Sequence, residues 1–94
     1  MIFEWNEFKN RKNLKKHGVS FDEARTVFLD EFGRLIPDLD HSESEERFVL
    51  MGTSFLSKLL LVCHCERDLD VIRIISARKA NKSEREQYEG YKHA

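Results

Sequence analysis

Residues 47–78, RFVLMGTSFLSKLLLVCHCERDLDVIRIISAR, contain three apolar-rich runs of seven, eight and eight residues. Arg47 to Thr53, Leu59 to Glu66 and Val71 to Arg78 are rich in Val, Ile, Leu, Phe and Cys, which suit the pleated surface of a sheet. Ser54–Ser57 and Arg67–Asp70 supply the turns between them. The stretch therefore predicts three strands joined as an antiparallel meander. Upstream, Leu35 to Pro37 predicts a short further strand. Pro37 places it at a sheet edge, because proline donates no ladder hydrogen bond. Asp38 to Glu46 reads as an acidic loop.

The N-terminal part has a different period. Ile2-Phe3-Glu4-Trp5 is a short extended start. Asn6 caps a helix that runs to His17 and stops at Gly18, a residue that enters left-handed backbone without penalty. Trp5, Phe8 and Leu14 are its expected apolar anchors; Lys9, Arg11, Lys12, Lys15 and Lys16 are its solvated face. Ser20-Phe21-Asp22-Glu23 has the pattern of a capping box, with Val19 and Ala24 as a hydrophobic staple. Phe21, Ala24, Val27 and Phe28 recur at helical spacing, which predicts a second helix from Phe21 to about Leu29. Asn81 with Glu84 caps a last short helix carrying Tyr88 and Tyr91. Helices and strands are segregated along the chain. The expected class is α+β, with two N-terminal helices packed on an antiparallel meander of three to four strands, plus a short C-terminal helix. With no linker, repeat or low-complexity tract, residues 1–94 read as a single domain.

Composition narrows the function. Apolar residues make up 40% of 94 residues, enough for one thin core. No run approaches the roughly 18 apolar residues of a membrane span. Glu4 and Glu7 sit where a signal peptide would be apolar, so a cytoplasmic location and reduced thiols at Cys63 and Cys65 are expected. Residues 1–20 hold five Lys/Arg against two Asp/Glu, residues 21–46 two against nine, and residues 47–94 nine against six. An acidic middle speaks against a general RNA-coating protein, yet it allows a local cationic site and a basic partner. The chain has no paired Cys-x-x-Cys spacing, Gly-rich phosphate loop or Ser-His-Asp signature, so neither metal nor cofactor is expected. Strand alternation also sends His64 away from Cys63 and Cys65, which disfavours a zinc site built from these three with His41.

Three blocks, KHGVSFDEA (residues 16–24), DHSESEERF (40–48) and IRIISARKA (72–80), resemble the BrnT family, the toxins of type II BrnT/BrnA toxin–antitoxin systems. The Glu66-Arg67 turn and the segment from Glu84-Arg85 to Tyr88 resemble it as well. Leu39, where proline is expected, and Asp68-Leu69-Asp70, which lacks an expected glycine, depart from the pattern. The resemblance implies a RelE-like fold and a ribonuclease that arrests translation, with RNA, free or ribosome-associated, as substrate. It also implies a tight complex with a BrnA-like ribbon-helix-helix antitoxin that represses its operon, the toxin reaching operator DNA only through the antitoxin. A non-catalytic co-repressor that simply docks such an antitoxin is the alternative.

Metal-free RNA cleavage needs a base for the 2′-OH proton, cations for the phosphorane and an acid for the 5′-oxygen. A turn at Asp68-Leu69 places His64 opposite Arg73 and Glu66 opposite Val71. An even loop around Leu56-Ser57 places Arg47 opposite Glu66 and Val49 opposite His64. Arg47, His64, Glu66 and Arg73 then share one face as the candidate catalytic group. The arginines stabilise phosphate, and His64 or Glu66 moves protons, an imidazole being suited to neutral pH. Arg78 and Lys79, beside a helix start, are candidate substrate-binding cations. A one-residue slip would send a strand's whole set to the other face. The plainer readings are an exposed Arg47–Glu66 ion pair, a solvent-facing Arg73, a helix-capping His17, a loop histidine at His41, and packing roles for Tyr88 and Tyr91.

Overall fold

The computed structural model describes residues 1–38 and 46–93. Asp40 and His41 lie outside the described residues. In chain order the elements are β1 (Ile2–Glu4), α1 (Glu7–His17), α2 (Phe21–Ala24) continued by a 3₁₀ turn (Arg25–Leu29), β2 (Arg34–Pro37), β3 (Phe48–Thr53), β4 (Leu59–Arg67), β5 (Val71–Lys79) and α3 (Lys82–Lys92). The strands form one sheet in the order β1-β5-β4-β3-β2. The meander is antiparallel and Pro37 lies on the edge strand, as expected. One strand is added: β1 pairs in parallel with β5, Ile2 beside Val71 and Glu4 beside Arg73, so the sheet has five strands and is mixed.

Each face of the sheet buries a different layer. On one face Val19, Phe21, Ala24 and Val27 pack against Leu50, Leu60, Val62, Ile74 and Ala77. On the other, Tyr88 of α3 joins Met51, Leu59 and Ala80. Successive strand residues point to opposite faces, which is why Leu60 and Val62 meet the N-terminal helices while Leu59 and Leu61 meet α3. At Gly52 the sheet passes close to the 3₁₀ turn: a Cβ there would lie 3.2 Å from the Val27 carbonyl oxygen.

The docking of α1 differs from the expected apolar contact. Asn6 caps it and Gly18 ends it at φ 70°, but Phe8 and Leu14 are 62% and 50% exposed. The buried residue is Asn13, whose Nδ2 donates to the carbonyls of Val19 (2.9 Å) and Ala77 (2.8 Å) and whose Oδ1 accepts from the Ala77 N–H (3.1 Å). The cause is the shortness of β1. It pairs with β5 only over Val71 to Arg73, so the outer edge at Ala77 has no strand beside it. Buried main-chain groups must be satisfied, and the Asn13 carboxamide takes the place of the missing strand.

At α2 only half of the expected capping box forms. Ser20 Oγ accepts from the Glu23 N–H at 3.0 Å, but the Glu23 carboxylate accepts from Ser54 Oγ at 2.7 Å and faces Lys58, which ties the helix to the β3–β4 loop. At α3 the Asn81/Glu84 box is complete. Tyr88 then anchors this helix: its hydroxyl donates to Asp30 Oδ2 at 2.6 Å, and the same carboxylate accepts from the Thr53 and Phe32 N–H groups. Burial pushes the Asp30 carboxyl up, but these three hydrogen bonds, with Lys92, outweigh it and hold the group below its ordinary range. Tyr88→Phe removes a hydrogen bond to a charged group, worth about 1.5–3 kcal/mol. A depressed carboxyl contributes stability that is present above the unfolded-state pKa and lost as pH falls through the folded one. Thermal melts should therefore show a lower Tm for Tyr88→Phe near neutral pH and a smaller difference from wild type below about pH 3. A gap of the same size at both pH values would remove Asp30 from the explanation.

Candidate active site

Both hairpins are shifted by one residue from the expected pairing. Between β3 and β4, Phe48 lies opposite His64 and Val49 opposite Cys63, closed by the loop 54–58 with Ser57 left-handed at φ 62°. Between β4 and β5, Cys65 lies opposite Arg73 and Arg67 opposite Val71, closed by the loop 68–70 with Asp68 left-handed at φ 57°. A bulge follows: His64 pairs with Ile74, but Cys63 pairs with Ser76.

The expected quartet is therefore divided. Arg47 and Arg73 share the α3 side of the sheet, since β3 and β5 are each displaced by one residue along β4, an odd shift on both sides. His64 and Glu66 lie on the other side. His64 is 2% exposed, with its ring edge-on to Phe28 at 4.8 Å and Nδ1 3.1 Å from the Val62 carbonyl. Burial pushes its pKa down, against the raising effects of that carbonyl and Glu66. A buried, neutral ring cannot exchange protons with a substrate on the opposite face. The depressed pKa has a consequence for stability. The unfolded chain binds more protons than the folded one as pH falls below about 6.5, so stability is lost there. A His64→Phe variant should show a flatter Tm profile between pH 7 and 5; a profile as steep as wild type would contradict this.

Arg73 is held at the β1 edge. Its Nη1 donates to Glu4 Oε2 at 2.8 Å, and Arg67 approaches the same oxygen at 3.4 Å. Arg78 makes a two-pronged bond to Glu84, with both distances 2.8 Å. That bond, with the help of the Asn81 N–H and against burial, lowers the Glu84 pKa, and it raises that of Arg78. The α3 start that was expected to receive a phosphate is thus capped by its own Asn81 and Glu84. Lys79 is exposed and lies opposite Leu60, on the other side of the sheet from Arg78.

Because α3 covers only one end of its face, a cleft of about 340 Å³ remains over the middle of β3, β4 and β5. Arg47, Arg78, Asp38, Cys63, Ser76 and His17 bring its polar chemistry. The Asp38 N–H donates to the Arg47 carbonyl at 2.8 Å, which fixes both residues at the rim. His17, read from sequence as a cap, reaches the cleft because α1 ends over the β5 bulge. Cys63 Sγ lies 3.5 Å from Asp38 Oδ2; burial and that carboxylate push its pKa up to about 11, so the thiol stays protonated and is no nucleophile. The cleft thus combines two guanidinium groups with an imidazole and a carboxylate, a set able to hold a phosphodiester and move protons around it.

Residues 5–84 match the family model described as "Ribonuclease toxin, BrnT, of type II toxin-antitoxin system". The chain belongs to the BrnT family. As a BrnT member it is a ribonuclease toxin of a type II system, and a cognate antitoxin is its partner. The crystal structure of the Brucella abortus ribonuclease toxin BrnT aligns with a TM-score of 0.68 over 87% of this chain and 100% of that one, at 19% identity. At that identity the likeness establishes the shared BrnT fold. Comparison with curated protein sequences finds no match. All the described cleft residues fall inside the stretch that matches the BrnT model. Among the described residues of this BrnT chain, no helix is long and apolar enough to cross a membrane.

Arg73→Ala breaks a half-buried pair with Glu4 at the sheet edge, worth about 1 kcal/mol. It should lower cleavage less than Arg47→Ala, because Glu4 already neutralises Arg73, and should leave Tm almost unchanged. An Arg73→Ala enzyme slower than Arg47→Ala would return Arg73 to the centre of the site.

Proposed function

We propose that this toxin cleaves RNA in the cleft between Arg47 and Arg78 without a metal ion. The observation that supports this is the convergence of Arg47, Arg78, His17 and Asp38 on one cavity. In the reaction, a base takes the 2′-OH proton, O2′ attacks phosphorus, and the 5′-oxygen departs with a proton from an acid. The products are a 2′,3′-cyclic phosphate and a 5′-hydroxyl end. His17 and Asp38 are the proton-transfer candidates, in place of His64 and Glu66. Arg47 and Arg78 carry the charge of the phosphorane, with Arg73 as an outlying third cation; Lys79 leaves the site. Guanidinium pairs hold phosphate by two parallel bonds and supply the positive charge that a metal gives elsewhere.

The cell biology follows from the same reading. The toxin acts in the cytoplasm, on free or ribosome-associated RNA, and arrests translation. A BrnA-like ribbon-helix-helix antitoxin neutralises it, and the pair represses its operon, with the antitoxin contacting the operator. Induced expression should stop growth and fragment RNA, and co-expression of the antitoxin should restore both. Cleavage by the purified protein should survive a chelator. Loss of cleavage in chelator with recovery on added magnesium or zinc would contradict the metal-free reaction. The burial of His64 favours a second reading, a co-repressor that binds antitoxin without catalysis. Normal growth and intact RNA at verified soluble expression would select it.

A further inference from the structure

The surface of α1 extends the cleft. A groove of about 640 Å³ between α1 and β5 is lined by Lys9, Lys12, Lys15 and Lys16, and shares His17, Ile75 and Ser76 with the cleft. The four lysines are exposed, and among the described residues none of them is in an ion pair. The one acidic residue of α1, Glu7, is occupied by Trp5 Nε1 and Asn10 Nδ2. On the far flank of the same helix Phe8, 62% exposed, forms a shallow hollow with Arg11, Lys12 and Lys15, and the Lys12 ammonium sits 5.4 Å from its ring centre. An exposed aromatic ring among cations is how single-stranded nucleic acid is held without sequence preference: cations track the backbone and the ring stacks a base. An acidic peptide would use the lysines but would gain nothing from Phe8 or from continuity with the cleft.

We propose that the α1 surface, from the α1–β5 groove across Lys12 and Lys15 to the Phe8 hollow, binds the single-stranded RNA flanking the scissile phosphate, with the lysines on its phosphates and Phe8 stacked on a base. The surface rests on the assignment of the cleft as the site of cleavage, yet it can be tested apart from it. The measurement is fluorescence anisotropy of a uniformly 2′-O-methylated 12-nucleotide RNA, which cannot be cleaved, titrated with the wild type and with Lys12→Gln/Lys16→Gln at several salt concentrations. Each phosphate contact in a single strand contributes about 0.7 to the slope of log K against log salt, so the double variant should lose roughly 1.4 from the slope. Phe8→Ala should weaken binding on the order of tenfold with the slope unchanged. Circular dichroism melts establish that both variants fold. In cleavage assays the double variant should lose roughly tenfold more on a 20-nucleotide RNA than on a diribonucleotide, a ratio set by those contacts. An unchanged slope in the folded Lys12→Gln/Lys16→Gln variant overturns the proposal, and so does a loss confined to antitoxin binding. A wild type that binds the methylated RNA with the expected slope but cleaves nothing keeps the groove and removes the assigned chemistry.

Discussion

Arg47→Ala lowers the RNA-cleavage rate by about 10²–10³, the usual cost of removing one positioned electrostatic stabiliser. The expectation rests on position. Arg47 lies just before β3, partly buried in the cleft, with its carbonyl pinned by the Asp38 N–H, so its side chain is delivered to the site by a fixed backbone. Arg78→Ala should cost less, because Glu84 already takes both prongs of that guanidinium. Arg47→Lys should recover only part of the rate, since an ammonium cannot reproduce a planar two-pronged contact. Single-turnover cleavage of a defined RNA, together with growth on induced expression, gives the comparison. A folded Arg47→Ala protein that cleaves at the wild-type rate would show that the cleft is not the site.

Asn13→Leu is the largest stability effect expected in the molecule. It strands the N–H and carbonyl of Ala77 and the carbonyl of Val19, all now served by one buried carboxamide. Each unsatisfied buried group costs about 1–3 kcal/mol, so three groups taken in the lower half of that range sum to on the order of 3–5 kcal/mol out of a usual total of 5–15. For a domain of this size that is a fall in Tm of roughly 15–25 °C. Asn13→Asp, which keeps the acceptor and loses the donors, should also be strongly destabilised. A Tm for Asn13→Leu within a few degrees of wild type would mean that the β5 edge finds other partners.

These two residues mark where the sequence is readable and where it is not. The strands of the meander, Pro37 at the edge, the Asn6 and Asn81 caps and the Gly18 stop follow from local chemistry, because each depends on a few neighbouring residues. The pairing of β1 does not. It spans three residues, too few to carry a period, and its partner β5 is nearly seventy positions away. Asn13 carries no signal in the sequence, because its role exists only where β5 outruns β1. Strand register was harder still. It turns on Ser57 and Asp68 entering left-handed backbone, which is uncommon for any residue but glycine and which no neighbouring residue announces. The slips run in opposite directions along β4, but each is one residue, so the Arg47–Arg73 relation survived while His64 and Glu66 left the face. His17 was legible as a helix end; its place in the cleft depends on where α1 crosses the β5 bulge.

In the proposed reaction the scissile phosphate sits on the α3 side of the sheet, over β3, β4 and β5. The most direct measurement is an amide NMR titration of the assigned protein with a short RNA carrying a single 2′-deoxy substitution at its cleavage position. The largest shift changes should map to Arg47, Val49, Cys63, Ser76 and Arg78, with those of His64 and Glu66 small by comparison. Changes centred on Glu66, Ile72 and the face covered by α1 and α2, with the cleft residues silent, would contradict the account.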